Sequence, residues 1–180
     1  MDSHSPGCRI RSNRTAKYNN LKMDKVSWEV ITECEEETEA LGERLAPLLQ
    51  PGDVLALSGE LGAGKTCLVR GLARGLGVDE TMVASPSFTL LHEYEGRLPL
   101  YHLDCYRLDD PEAIGELGLE DYYAAPGVLA IEWAERVPDL PEERLDIGIS
   151  WVSENRRRIR LAARGPLAER LHGKVNKGGF

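Results

Sequence analysis

The run VLALSGELGAGKTCLVRGLARGL, residues 54–76, constrains this chain more than any other part of it. Its first five residues are almost continuously apolar, the pattern of a strand buried on both faces in a parallel sheet. Its last ten carry Leu68, Leu72 and Leu76 one helical turn apart, with Gly77 placed as a stop. Between them GELGAGKT fits G-x-x-x-x-G-K-[ST], with Gly59, Gly64, Lys65 and Thr66 at the fixed positions. Strand, glycine loop and helix in that order make a phosphate-binding loop. Glycines let backbone N–H groups converge where side chains would collide. The helix start adds the positive end of its dipole. Lys65 supplies a point charge to the outer phosphates, and the Thr66 hydroxyl suits magnesium. Cys67, the next residue, has no base or metal partner in view and reads as packing.

The rest of the chain must supply strands and helices around that unit. KVSWEVIT (25–32) is rich in β-branched and aromatic residues and predicts a strand. An acidic segment follows in which Leu41, Leu45, Leu48 and Leu49 share one helical face, and its acids suit the helix start. The stretch FTLLHEYEGRLPLYHLDCY holds two strand-like runs around EGRLP, which predicts a hairpin. A short helix is expected from about residue 110, where Asp and Pro open DPEAIGELGLEDYY. GVLAIEW predicts a second buried strand, RLDIGISWV and RRRIRLAARG the arms of another hairpin, and PLAERLHGK a last helix. The sum is a single α/β domain, a mixed sheet flanked by helices, over residues 23–172. Residues 173–180 are expected to be a flexible tail.

Charge argues about partners. Residues 1–22 hold five Lys or Arg and one acid, without the apolar core of a secretory signal, and are expected to be a disordered arm, or an over-long start with Met23 as the first residue. Subtracting that local +4 from the overall −8 leaves −12 for the remainder. An acidic body matches bare nucleic-acid phosphates poorly, so a role in RNA chemistry would run through a protein partner. Apolar runs such as VLAL and GVLAI are far shorter than the roughly 20 residues that span a bilayer. The four cysteines form no CxxC pair, which suggests a reduced, cytoplasmic setting without a structural metal.

A phosphate loop does not name its reaction. No N-K-x-D guanine motif is present, since the sole NK is followed by Gly-Gly. NRRRIR (155–160) is the one arginine cluster, and its alternation predicts a strand with a solvated face rather than a kinase lid. Two acids end strand-like runs, Asp104 in LYHLDCYRL and Glu132 in VLAIEWAER, and either could manage a metal ion. A small-molecule kinase and a nucleotide-gated scaffold stay open beside an ATPase.

Four stretches together, GELGAGKT, SPSFTLLHEY (85–94), YHLDCYRL (101–108) with the following ELGLEDYY, and IEWAER (131–136), resemble the TsaE (YjeE) family. These are bacterial P-loop ATPases of tRNA threonylcarbamoyladenosine biosynthesis, and the likeness covers roughly residues 26–150. It implies an ATP- and Mg2+-dependent ATPase that joins TsaB and TsaD, cycles the TsaD-containing complex while TsaD performs the carbamoyl transfer, and meets tRNA only through that complex. It also implies roles for particular positions. Gly59, Leu61, Gly62, Ala63, Gly64, Lys65 and Thr66 would surround the ATP phosphates. Ser87 would lie in a switch-like loop near the γ-phosphate, where SPSFTL departs from the family's usual SPTFTL by one methyl. Glu132 would enter the magnesium shell with Thr66, and Asp104 would order metal-bound or attacking water. Trp133 would lie beside nucleotide and partner, and Glu35 and Thr38, at the start of the first helix, would approach the base.

Overall fold

The strands are β1 (Arg11–Asn13), β2 (Lys25–Thr32), β3 (Val54–Ser58), β4 (Leu91–Tyr94), β5 (Leu100–Asp104), β6 (Val128–Glu132), β7 (Leu145–Trp151) and β8 (Arg157–Arg164). The helices are α1 (Glu35–Leu45), α2 (Lys65–Gly75), α3 (Leu119–Tyr123) and α4 (Pro166–Val175). In the computed structural model, which describes residues 11–13, 25–87, 89–108, 114 and 117–175, the strands form one sheet in the order β1-β2-β8-β7-β3-β6-β5-β4. Pairing is parallel among β7, β3, β6 and β5 and antiparallel at both flanks. This is the mixed sheet that the sequence predicts, with both hairpins in place.

Period two explains how β3 is buried on both sides. Leu55 and Leu57 join a core with Leu41 and Leu45 of α1, Leu68 and Leu72 of α2, and Leu167 and Leu171 of α4. Val54 and Ala56 point the other way, into a smaller core with Leu103, Leu119, Leu129 and Ile131. The β7–β8 hairpin needs one apolar face only, and its alternating Ile147, Ile149, Ile159 and Leu161 are buried. On its other face Arg158 and Arg160 meet Glu29, and Arg156 meets Glu33. That face is solvated, as the alternation predicts, and such exposed pairs add little stability.

Of the stretch expected to be a disordered arm only Arg11–Asn13 is among the described residues, and it pairs antiparallel with Glu29–Ile31 on β2; of the tail expected from residue 173, residues 173–175 continue α4 and 176–180 lie outside the described residues. The helix start expected near residue 110 lies outside the described residues; Ile114 and α3 are the described helical parts of that segment. Among the described residues, no helix is long and apolar enough to cross a membrane.

Helices α1 and α2 pack backbone against backbone, and glycine is the reason. A Cβ on Gly71 would lie 1.9 Å from the Glu39 carbonyl oxygen, and one on Gly42 would lie 2.3 Å from that of Leu68. Neither neighbour is a side chain that can swing away. Arg70 and Arg74 of α2 then reach Glu39 of α1 at 2.8 Å each. In an open helix Gly→Ala stabilises by roughly 1 kcal/mol; at Gly71 the sign should reverse, with a loss on the order of 3 kcal/mol from overpacking. Gly173, where an added methyl would meet nothing within 4 Å, is the matched control. Urea unfolding of Gly71→Ala and Gly173→Ala checks this, the first expected to fall and the second to hold or rise.

Candidate active site

The parallel register decides where the chemistry collects. β3, β6 and β5 run the same way, Leu57 pairs with Glu132, and Glu132 pairs with Asp104. The phosphate loop therefore leaves the carboxyl end of β3 beside two acids at the carboxyl ends of the next two strands. Crevices at that edge are where open α/β sheets bind ligands. Leu100, Val128 and Ala130 lie in the core with α2, so period two also puts His102, Asp104 and Glu132 on the α2 side.

A cleft of about 270 Å³ opens at this edge. Its walls include Glu35, Leu61, Gly62, Gly64, Lys65, Thr66, Ser87, Asp104, Glu132 and Trp133, which brings together most of the residues expected to act. Three do not line it. Thr38 is buried, its hydroxyl 2.9 Å from that of Thr32, so it backs the loop near Gly64. Ala63 is buried beneath the loop. Gly59 has φ +143°, and a Cβ there would lie 2.3 Å from the Ile149 carbonyl oxygen, so contact with β7 demands this glycine.

Inside the cleft the charges are closely tied. Lys65 donates to the carbonyls of Gly59 (2.6 Å) and Glu60 (3.0 Å), with its ammonium 3.9 Å from the centre of the Trp133 ring. Burial pushes the Lys65 ammonium below its ordinary pKa, and Glu132, Glu135 and Asp104 pull it back. Thr66 donates to Glu132 Oε1 at 2.7 Å, and His102 Nε2 lies 2.8 Å from the same oxygen. Asp104 Oδ1 accepts from the Tyr106 N–H at 2.9 Å. Its Oδ2 accepts from Ser87 Oγ at 2.8 Å and from Ser85 Oγ. Trp133 has φ +58°, a left-handed conformation that costs a bulky residue on the order of 1 kcal/mol or more. That turn carries the ring back over Lys65. Arg136, donating to the Tyr106 carbonyl at 2.7 Å, closes a stack with Tyr106 and Trp133, whose rings are 5.1 Å apart. Cys67 is packing, as expected: it donates to the Glu35 carbonyl, and burial pushes its thiol pKa up to about 12.

The family model for threonylcarbamoyl adenosine biosynthesis protein TsaE matches residues 32–159, which contain the loop and both acids. The chain belongs to the TsaE family. It is 42% identical over 157 residues to the tRNA threonylcarbamoyladenosine biosynthesis protein TsaE of Bacillus subtilis (strain 168), covering 86% of this chain and 96% of that one. The Nostoc sp. relative of the same name is 46% identical over 131 residues, covering 70% of this chain and 80% of its own. The crystal structure of Bacillus subtilis YdiB superposes with a TM-score of 0.66 at 35% identity, covering 93% of this chain and all of that one.

This TsaE-family cleft depends on three residues that the sequence motifs do not single out. Ser85 shares Asp104 with Ser87, and SPSF carried the signal in its two hydroxyls. His102, which by type reads as a packed or hydrogen-bonded histidine rather than a ligand, is fully buried against Glu132. Arg157 sits in NRRRIR, where alternation puts it in phase with buried Ile159 and Leu161. Its Nε donates to the Ala63 carbonyl at 3.0 Å, Nη1 donates to carbonyls at the hairpin tip, and its guanidinium stacks 3.6 Å from the Trp151 ring centre. Trp151 in turn lies against Gly62. Arg157 thus braces the phosphate loop from below. Arg157→Met leaves the buried Ala63 carbonyl without this donor and should cost about 2 kcal/mol, read as a lowered urea midpoint with an altered Trp151 emission.

Proposed function

We propose that this chain is a magnesium-dependent ATPase that works with TsaB- and TsaD-type partners in forming N6-threonylcarbamoyladenosine in tRNA. The observation that carries this reading is the convergence of Lys65, Thr66, Glu132 and Asp104 on one cleft at the carboxyl edge of parallel strands. The names of its relatives support the pathway, and the acidic body, net −12 beyond residue 22, supports action through partners rather than through bare RNA.

The donor set fits a nucleotide with magnesium. Gly62 and Gly64 hold φ of +76° and +108°, so the loop backbone can curl around phosphate without side-chain obstruction. Two buried carboxylates face the cleft against one buried ammonium, which would repel a polyphosphate unless a cation lay between them. Magnesium takes one or two carboxylates plus phosphate oxygens and water, and Thr66 with Glu132 is such a partial set. Among the described residues no group of three His, Cys, Asp or Glu could hold a metal alone, in keeping with an ion that arrives with its nucleotide. Magnesium bound there supplies positive charge to the phosphoryl group in transfer.

The chain's own groups divide the remaining work. Lys65 leaves the loop carbonyls to bind the outer phosphates. Glu132, fixed through Oε1, keeps its other oxygen for the ion. Asp104 orients the attacking water, but Ser85 and Ser87 now occupy its Oδ2. Hydrolysis therefore waits on a rearrangement of residues 85–87, and partner binding is the event that drives it. Arg70, the arginine lining the cleft, is held by Glu39, so this site is slow alone.

Glu132→Gln should weaken magnesium-dependent nucleotide binding about tenfold, whereas Asp104→Asn should slow hydrolysis on the order of 100-fold with binding retained. Titration of nucleotide with and without magnesium, beside release of ADP and phosphate, checks both; exchanged phenotypes would reverse the two roles. ATP turnover should rise when TsaB- and TsaD-type partners are added. Equal rates with and without them would sink the partner half of the reading, and stoichiometric phosphorylation of a small acceptor would replace it with a kinase.

A further inference from the structure

Glu132 is held from two sides, and the side away from the loop is histidine. His102 is completely buried on β5, two residues before Asp104, and its Nε2 lies 2.8 Å from Glu132 Oε1. A carboxylate only accepts, so this bond needs the proton on Nε2. His102 Nδ1 is also buried and makes no hydrogen bond. An unpaired buried N–H is costlier than an unpaired lone pair, which again puts the proton on Nε2. Thr66 donates to the same Oε1, whereas Oε2 makes no bond within the described chain and is not enclosed.

We infer that His102 is the positioning residue of Glu132: it acts as an Nε2–H donor that pins Oε1 from the core side and leaves Oε2 presented to the cleft. The inference rests on the magnesium–nucleotide reading of that cleft. Without His102, one donor would have to fix a five-atom side chain whose rotamers are otherwise limited only by packing. Thr66 is a poor sole anchor, because the same hydroxyl oxygen is wanted by the metal. A metal ligand held by a buried second partner loses roughly 10- to 100-fold in affinity when that partner is removed. Packing alone makes a different claim, since leucine fills much of the same space and donates nothing.

The test uses the full chain and two readouts. Long-range proton–nitrogen NMR of the histidine rings should find His102 as a single tautomer protonated on Nε2; a proton on Nδ1 overturns the proposal with no nucleotide involved. Tryptophan fluorescence titrations of ATP at varied magnesium should then show His102→Leu moving the magnesium midpoint upward about tenfold. ATP binding in EDTA should stay within about twofold of wild type, and His102→Gln, which regains an N–H donor, should recover most of the shift. A midpoint unchanged in His102→Leu, or a His102→Gln no better than leucine, overturns the proposal while the nucleotide reading stands. A wild-type chain whose nucleotide binding ignores magnesium overturns the nucleotide reading and this proposal together.

Discussion

Main-chain pairing among β3, β6 and β5 is the constraint on which the cleft depends. Three parallel strands in register bring the loop after Ser58, Glu132 and Asp104 to one edge, and no side-chain interaction has to assemble them. A shift of one residue in either pairing would turn its acid to the opposite face of the sheet. The apolar residues of β6 and β5, buried on both sides, hold that register. Val128 and Ala130 belong to one core and Leu129 and Ile131 to the other, so neither face can be exchanged without exposing apolar surface.

Against this frame the polar contacts set orientation. Glu132 is shared by a helix and a strand through Thr66 and His102. Asp104 is shared by the loop at residues 85–87 and the turn at Tyr106. Trp133 accepts a left-handed backbone and lies over Lys65. The β7–β8 hairpin contributes from the other flank through Arg157 and Trp151. Each functional group is thus held by an element other than its own.

That arrangement explains what was legible in the sequence. VLALS, the glycine loop and the spaced leucines of α2 are local patterns, and local patterns fixed the strands from β2 onward, both hairpins and the loop. The two acids were legible because an acid ending an apolar run has few bland explanations. His102 and Arg157 were harder, since their partners lie 30 and 94 residues away. Even so, alternation held part of the signal: each shares the phase of buried neighbours, and a polar residue in that phase must have found a partner. Thr38 shows the converse, for its place near the loop was readable but the inward turn of its hydroxyl toward Thr32 was not.

The glycine contact between α1 and α2 has a consequence for how the cleft can change shape. With Gly71 against the Glu39 carbonyl and Gly42 against that of Leu68, the two helices have no slack along their crossing. The backbones of Glu35, Lys65 and Thr66 are therefore held as one body. The opposite wall is an irregular loop moored to Asp104 through two serine hydroxyls. The site is built like a vice, with one jaw locked backbone to backbone and the other tied through side-chain hydroxyls.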